Sequence, residues 1–197
     1  RDVAVTGVQT CALPIYVAYT RANPGKLNLG VTAQAGVNHL MTVWLHSLTQ
    51  SRVAYIAYKG EGPMLPDLLS GRLDAAAIGV GTAIRLARSG KVRALGYSLT
   101  VRSKVWPDLP TIAEQGLSPF LHTSWVGIGA PAGTPVPVIN RLAENFAKVA
   151  KMPEVIAPLE PEGWVMVGTT PARMRQLVTE ETERWARLAK EQGIVPE

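Results

Sequence analysis

Hydrophobic and polar positions switch between two periods along the first half of the chain. "KLNLGVT" (26–32), "RVAYIAY" (52–58), "RLDAAAIGV" (72–80) and "KVRALGYS" (91–98) are short apolar runs bounded by turn residues, which predicts strands. Between them the period lengthens. "VNHLMTVWLHSL" (37–48) places Leu40, Val43, Trp44 and Leu48 on one helical face. "MLPDLLSG" ends at Gly71 and "TAIRLARSG" at Gly90, both helix stops, and "YVAYTRANPG" reads as the end of a surface helix halted at Pro24-Gly25. The run 72–80 consists of small apolar residues suited to burial on both faces. Alternating strands and helices predict an α/β fold with a parallel sheet covered on both sides.

After that the pattern changes. Residues 102–120 form a long connection with one short helix at 111–115. "HTSWVGIGAP" (122–131) and "WVMVG" (164–168) have strand character. Thr134-Pro135 and Thr170-Pro171 each read as an N-cap followed by a first-turn proline. The first opens a helix with Val138, Leu142, Phe146 and Val149 on one face; the second opens a longer helix ending at Gly193. Glu180–Arg184 and Glu183–Arg187 are i,i+4 pairs that mark a solvated face. A boundary near 121–124 divides the chain into residues 16–124 and 125–197.

Composition narrows the function. A chain of 197 residues with 47% hydrophobic and 18% charged content suits one ordinary domain or two small ones. The net charge is +5, but no Lys/Arg run exceeds two residues and aromatics are only 6%, so a nucleic-acid partner is not expected. No apolar stretch reaches the roughly 18 residues of a membrane helix, and direct membrane insertion is not expected. Gly-x-Ser-x-Gly, Walker and His-Glu-x-x-His patterns are missing, and no cofactor motif is present. His39 and His46 are seven apart and could share a helix face, while His122 stands alone; without neighbouring carboxylates or cysteines they make a weak metal signal. No close acidic pair lies at a strand mouth to serve as acid and base.

What remains is a strand-to-helix turn of small residues, "GVTAQAGVNH" (30–39). Free N–H groups at a helix N-terminus attract an anion, and Thr32, Ala33, Gln34, Gly36 and Asn38 are the candidate contacts. A tight connection built only for packing would carry the same residues. "IGVGT" (78–82) is a second such turn, adding Ile78 and Thr82. Open α/β sheets bind ligands at the carboxyl ends of parallel strands, where both turns fall.

The ordered series "ANPGKLNLG", "HL", "YIAYKGEGPMLPDLLSGRLDAA", "SGKVRALGYS", "LPTIAEQGL", "SWVGIGAPAGTP" and "GTTPARMRQLVTEETERWARLAKEQGI" resembles the Bug family, extracytoplasmic receptors of tripartite tricarboxylate transporters. The likeness runs from about Tyr16 to the end. It implies a two-domain, type II periplasmic-binding-protein (Venus-flytrap) fold, here with domain II complete over 16–124 and the C-terminal part of domain I over 125–197. It also implies capture of a small organic carboxylate without catalysis, no cofactor, a periplasmic location, delivery to membrane permease subunits, and a monomer at full length. Gly30, Gly36, His39 and Leu40 agree with the family turn, whereas Val31 and Val37 stand where serines are usual. In the second turn Asp74 agrees, Ile78 replaces a frequent acid, Gly79 an asparagine and Gly81 a proline, and Thr82 can substitute for a serine. Tyr58-Lys59-Gly60 agrees as well, and Trp125 falls on the implied crossover strand.

Family members carry about a hundred further upstream residues, so the chain reads as N-terminally truncated, with "VTGVQTCALPI" (5–15) in their place. That stretch, with Cys11 as the only cysteine, resembles a translated sequencing adapter, and deleting residues 1–15 is expected to leave the remaining fold unchanged even if some of their apolar residues touch it. Two rival functions share the architecture: the effector domain of a cytoplasmic transcription regulator, and an α/β hydrolase. An upstream winged helix would mark the first; turnover lost on mutating one Ser or His would mark the second.

Overall fold

Three parallel strands centre the first half in the order β2-β1-β3, namely β1 (Asn28–Val31), β2 (Ala54–Ala57) and β3 (Ala75–Ala76). The computed structural model describes residues 12–118, 120 and 123–194. Helices α1 (Ala12–Ala22), α2 (Val37–Leu48), α3 (Glu61–Leu69) and α4 (Val80–Arg88) surround the strands. Register fixes the faces: Leu29 lies beside Tyr55, and Gly30 beside Ile56 and Ala76. His39 of α2 packs edge-on to Tyr55 at 4.7 Å, so α2 covers the face of Leu29 and Tyr55. On the opposite face Gly30 has no room for a Cβ, which would meet Leu73 at 2.6 Å and Met64 of α3 at 2.8 Å. Close packing, not backbone conformation, is what demands glycine there.

The largest core cluster lies on the outer side of α2. Leu13 and Val17 of α1 meet Met41, Leu45, Ile112 and Phe120, with Trp44, Leu95, Leu117 and Trp185 against them. The buried surface of α2 is therefore wider than one stripe: Met41, Val43, Leu45 and His46 are buried, while Leu48 is 36% exposed. Being covered by the sheet on one side and by α1 on the other buries residues that a single face would leave out. Within the N-terminal stretch, residues 12–15 belong to helix α1 and Leu13 is only 2% exposed. Residues 1–11, with Cys11, lie outside the described residues, as does His122.

The second half consists of α5 (Val136–Val149), α6 (Pro153–Leu159), a 3₁₀ turn at Glu160–Glu162 and α7 (Pro171–Glu191). Thr170 caps α7 as expected, accepting the Arg173 N–H at 3.3 Å. Thr134 does not cap α5; its hydroxyl donates to the Pro131 carbonyl at 2.8 Å and the helix starts two residues later. The third residue after a Thr134 cap would be Pro137, which has no N–H to donate. Arg184 pairs with Glu181 at 3.0 Å rather than with Glu180, which meets Arg173. Trp185 of α7 packs at right angles to Trp44, 6.1 Å away, and anchors this half to α2.

Three sequence-predicted strands are corrected. Residues 91–98 make one parallel bridge, Tyr97 to Thr111. Among the described residues of 122–131 and 164–168 there is no strand. A strand exists only through its ladder, and these segments have no neighbouring strand to pair with among the described residues. Val126, Ile128, Val165 and Val167 are between 69% and 81% exposed as a result.

Candidate ligand site

All three strands end at one edge, where their carboxyl ends are stitched together. The Tyr58 N–H donates to the Val31 carbonyl at 2.9 Å, Gly60 to Thr32 at 3.3 Å, and Ala77 to Gly30 at 3.0 Å. From β1 the chain turns through 32–36 into α2. Ala35 adopts φ 55°, a left-handed conformation costly for a residue with a Cβ. His39 holds it there, accepting the Ala35 N–H on Nδ1 at 3.0 Å. Burial keeps His39 below the usual imidazole pKa, so Nδ1 stays a lone-pair acceptor and the ring proton sits on Nε2. Gly36 precedes α2 with no side-chain cap. The N–H groups of Ala33, Gln34, Val37, Asn38 and His39 find no partner among the described residues. Five backbone donors therefore converge on one turn at the positive end of a helix dipole.

Asn38 ties this turn to the next. Its Nδ2 donates to Thr32 Oγ1 and to the Ala77 carbonyl, both at 3.3 Å. Thr42 in turn donates to the Asn38 and His39 carbonyls at 3.0 and 2.8 Å. Of the candidate contacts, Thr32, Asn38 and the neighbourhood of Ile78 are thus brought together. Ala33 and Gln34 lie exposed on the loop, Gly36 is half-buried, and Ile78 is a half-buried apolar neighbour.

The second turn is partly occupied from within, by Glu61. Gly79 starts α4 without a side-chain cap of its own. Glu61 Oε1 accepts the Gly79 N–H at 2.5 Å, and Glu61 Oε2 accepts the Thr82 hydroxyl at 2.7 Å. Thr82 also accepts from Arg85 Nη2 at 3.1 Å, and Arg85 Nη1 reaches Glu162 at 2.8 Å. Glu61 is a site residue that sequence reading missed. Its signal was "KGEGP": Gly60 takes φ 100°, open to glycine but strained for other residues, and opens α3 so that the next side chain faces the strand edge. Lys59 is exposed beside it.

His39 and His46 each hold neighbouring elements in place. His46 is buried between two phenols, Tyr16 on Nε2 at 2.9 Å and Tyr55 on Nδ1 at 2.7 Å. Desolvation pushes its pKa down to about 4 and raises both tyrosines. No group of three metal-ligating side chains occurs among the described residues. Two hollows run along α7, one lined by Glu180, Glu183, Arg184 and Arg187 and one beside Trp44 and Trp185, away from the strand edge.

Comparison with known proteins gives a consistent result. Residues 5–194 match the family model described as "Tripartite tricarboxylate transporter family receptor". A "UPF0065 protein in tcbD-tcbE intergenic region" of Pseudomonas sp. (strain P51) is 34% identical over 172 residues, covering 87% of this chain and 51% of that protein. "Protein BugT" of Bordetella pertussis is 30% identical over 182 residues, 92% of this chain and 56% of that one. The solved structure "R. palustris Rpa4515 with adipate" superposes with a TM-score of 0.83 at 30% identity, covering 98% of this chain and 64% of that one. The chain thus spans about half the length of the curated relatives it matches.

Proposed function

The chain belongs to the tripartite tricarboxylate transporter receptor family, and from that premise we propose that it serves in extracytoplasmic capture of a small organic carboxylate. The family's description as a transporter receptor and a structural neighbour described as the periplasmic binding protein BugD support this reading over the regulator and hydrolase readings. Five unpartnered N–H groups at the β1–α2 turn carry the reading. Such a cluster suits a carboxylate, held directly or through ordered water. Thr32 and Asn38 would add side-chain contacts, and Ile78 an apolar wall. That a structural neighbour is described with adipate supports the same ligand class. Residues 16–124 form one lobe in this reading and residues 125–197 part of the other, with the ligand between them. A membrane permease receives it, and the location is periplasmic; no helix among the described residues is long and apolar enough to cross a membrane.

Titration calorimetry of the chain with hexanoate, adipate and hexanamide tests the ligand class. Binding of a carboxylate with no heat from the amide is the expected outcome. Equal affinity for hexanamide, or silence from both acids, would refute the proposal.

A further inference from the structure

Glu61 places a carboxylate on two of the donors of the second turn. The Gly79 N–H and the Thr82 hydroxyl both end on it, at 2.5 and 2.7 Å. Asn38 bridges the turns through Thr32 and the Ala77 carbonyl, so the turn that Glu61 occupies adjoins the open one. The charged groups bonded around Thr82 are Glu61, Arg85 and Glu162; Arg85 is already engaged by Glu162, and Lys59 lies exposed two residues before Glu61. On the carboxylate reading of the preceding section, we propose that Glu61 is a specificity-determining residue: it closes the β3–α4 turn to a second ligand carboxylate and selects acids whose other end is uncharged.

The physical reason is like-charge exclusion. A diacid lying across both turns brings its far carboxylate against the like charge of Glu61, whose oxygens already hold two of that turn's donors. Displacing Glu61 would leave its own charge without those partners. A monoacid of equal length meets neither cost, and its tail rests against Ile78 and the backbone of the turn. Gly60 supports the arrangement from behind, since its N–H donates to the Thr32 carbonyl at 3.3 Å and fixes where α3 begins.

Hexanoate and adipate differ only in the second carboxylate, so their affinity ratio reads the effect. In the unmodified chain hexanoate binds more tightly. Glu61→Ala raises the adipate-to-hexanoate ratio by about tenfold or more, and Glu61→Gln, which keeps the shape but removes the charge, raises it less. An unchanged ratio in both variants overturns the proposal. A second readout compares thermal midpoints in sodium acetate against sodium chloride at equal ionic strength. Acetate stabilises Glu61→Ala more than the unmodified chain, because a free carboxylate enters the vacated turn as well as the open one. Equal response of the two proteins to acetate counts against Glu61. If hexanoate and adipate bind to none of the proteins, the carboxylate reading falls while the acetate measurement still decides the role of Glu61.

Discussion

Residues 12–118 and residues 123–194 are patterned alike, with amphipathic helices and β-branched runs in both, yet they end differently. In the first part strands find partners, helices cover two faces, and polar groups such as His46 are enclosed and bonded. In the second, α5 presents Val138, Leu142, Phe146 and Val149 at 40% to 46% exposure, and the runs at 125–128 and 164–167 form no ladder. Helices close their own hydrogen bonds and appear in both parts. Sheets need a second strand, and only the first part supplies one among the described residues. The lesson is that local sequence signals are sufficient for a helix and merely permissive for a strand.

The sharpest way to break this contrast is a matched pair of truncations. Leu13→Ala removes a side chain that is 2% exposed in the main cluster and should cost about 2–5 kcal/mol in denaturant unfolding. Leu142→Ala, at a position 42% exposed, should cost less than about 1 kcal/mol. Equal losses would show that α5 is covered in solution. A small loss at Leu13 would support the view that the first 15 residues are dispensable to the fold.

A comparable effect comes from acid. His46 has its pKa lowered from 6.5 to about 4 by burial, so the folded state takes up its proton later than the unfolded chain. Above pH 6.5 both states are neutral and nothing is lost. As pH falls from 6.5 toward 4 the unfolded state protonates first, and stability drops by about 3 kcal/mol before levelling off. Unfolding curves at several pH values measure this, and the His46 ring resonances locate the group. Retained stability at pH 4.5 would mean that the Tyr16–His46–Tyr55 cluster opens to water.

Next comes Gly30→Ala. The added methyl meets Leu73 and Met64 at 2.6 and 2.8 Å, so overpacking should cost about 1–3 kcal/mol. Met64 is flexible and can yield, which puts the expectation toward the lower half of that range. A neutral result would place the α3 layer further from β1.

How much of this was legible beforehand follows the same division. The layered α/β class, the span of α2 and the Thr170 cap could be read because each rests on neighbours in sequence. The α5 cap could not, since Thr134 and Pro135 looked correct and the obstacle was Pro137. Residues 91–98 looked like a strand because periodicity reports a face, not a partner. Of the site, the β1–α2 turn was visible as a run of small residues, and Thr82 was named as a candidate contact. That Thr82 is already bonded to a carboxylate 21 residues earlier depends on the parallel sheet bringing α3 and α4 together at one edge.

The smallest expected effect lies where the two parts touch. Arg85 of α4 meets Glu162 at 2.8 Å, with both side chains about half exposed. Gly81 lies against Glu162 and Gly163 against Val80, closely enough that neither position has room for a Cβ. Packing between glycines and a valine is short-ranged and persists if the ion pair is lost. The pair itself is screened by solvent and should contribute no more than about 1 kcal/mol. A double-mutant cycle with Arg85→Ala and Glu162→Gln should therefore give a coupling below about 1 kcal/mol that shrinks further in high salt. Arg85 also donates to Thr82, so the Arg85 single variant should lose slightly more than the Glu162 one. A coupling well above that limit, insensitive to salt, would show that the contact is desolvated in solution and that the two parts move as one body.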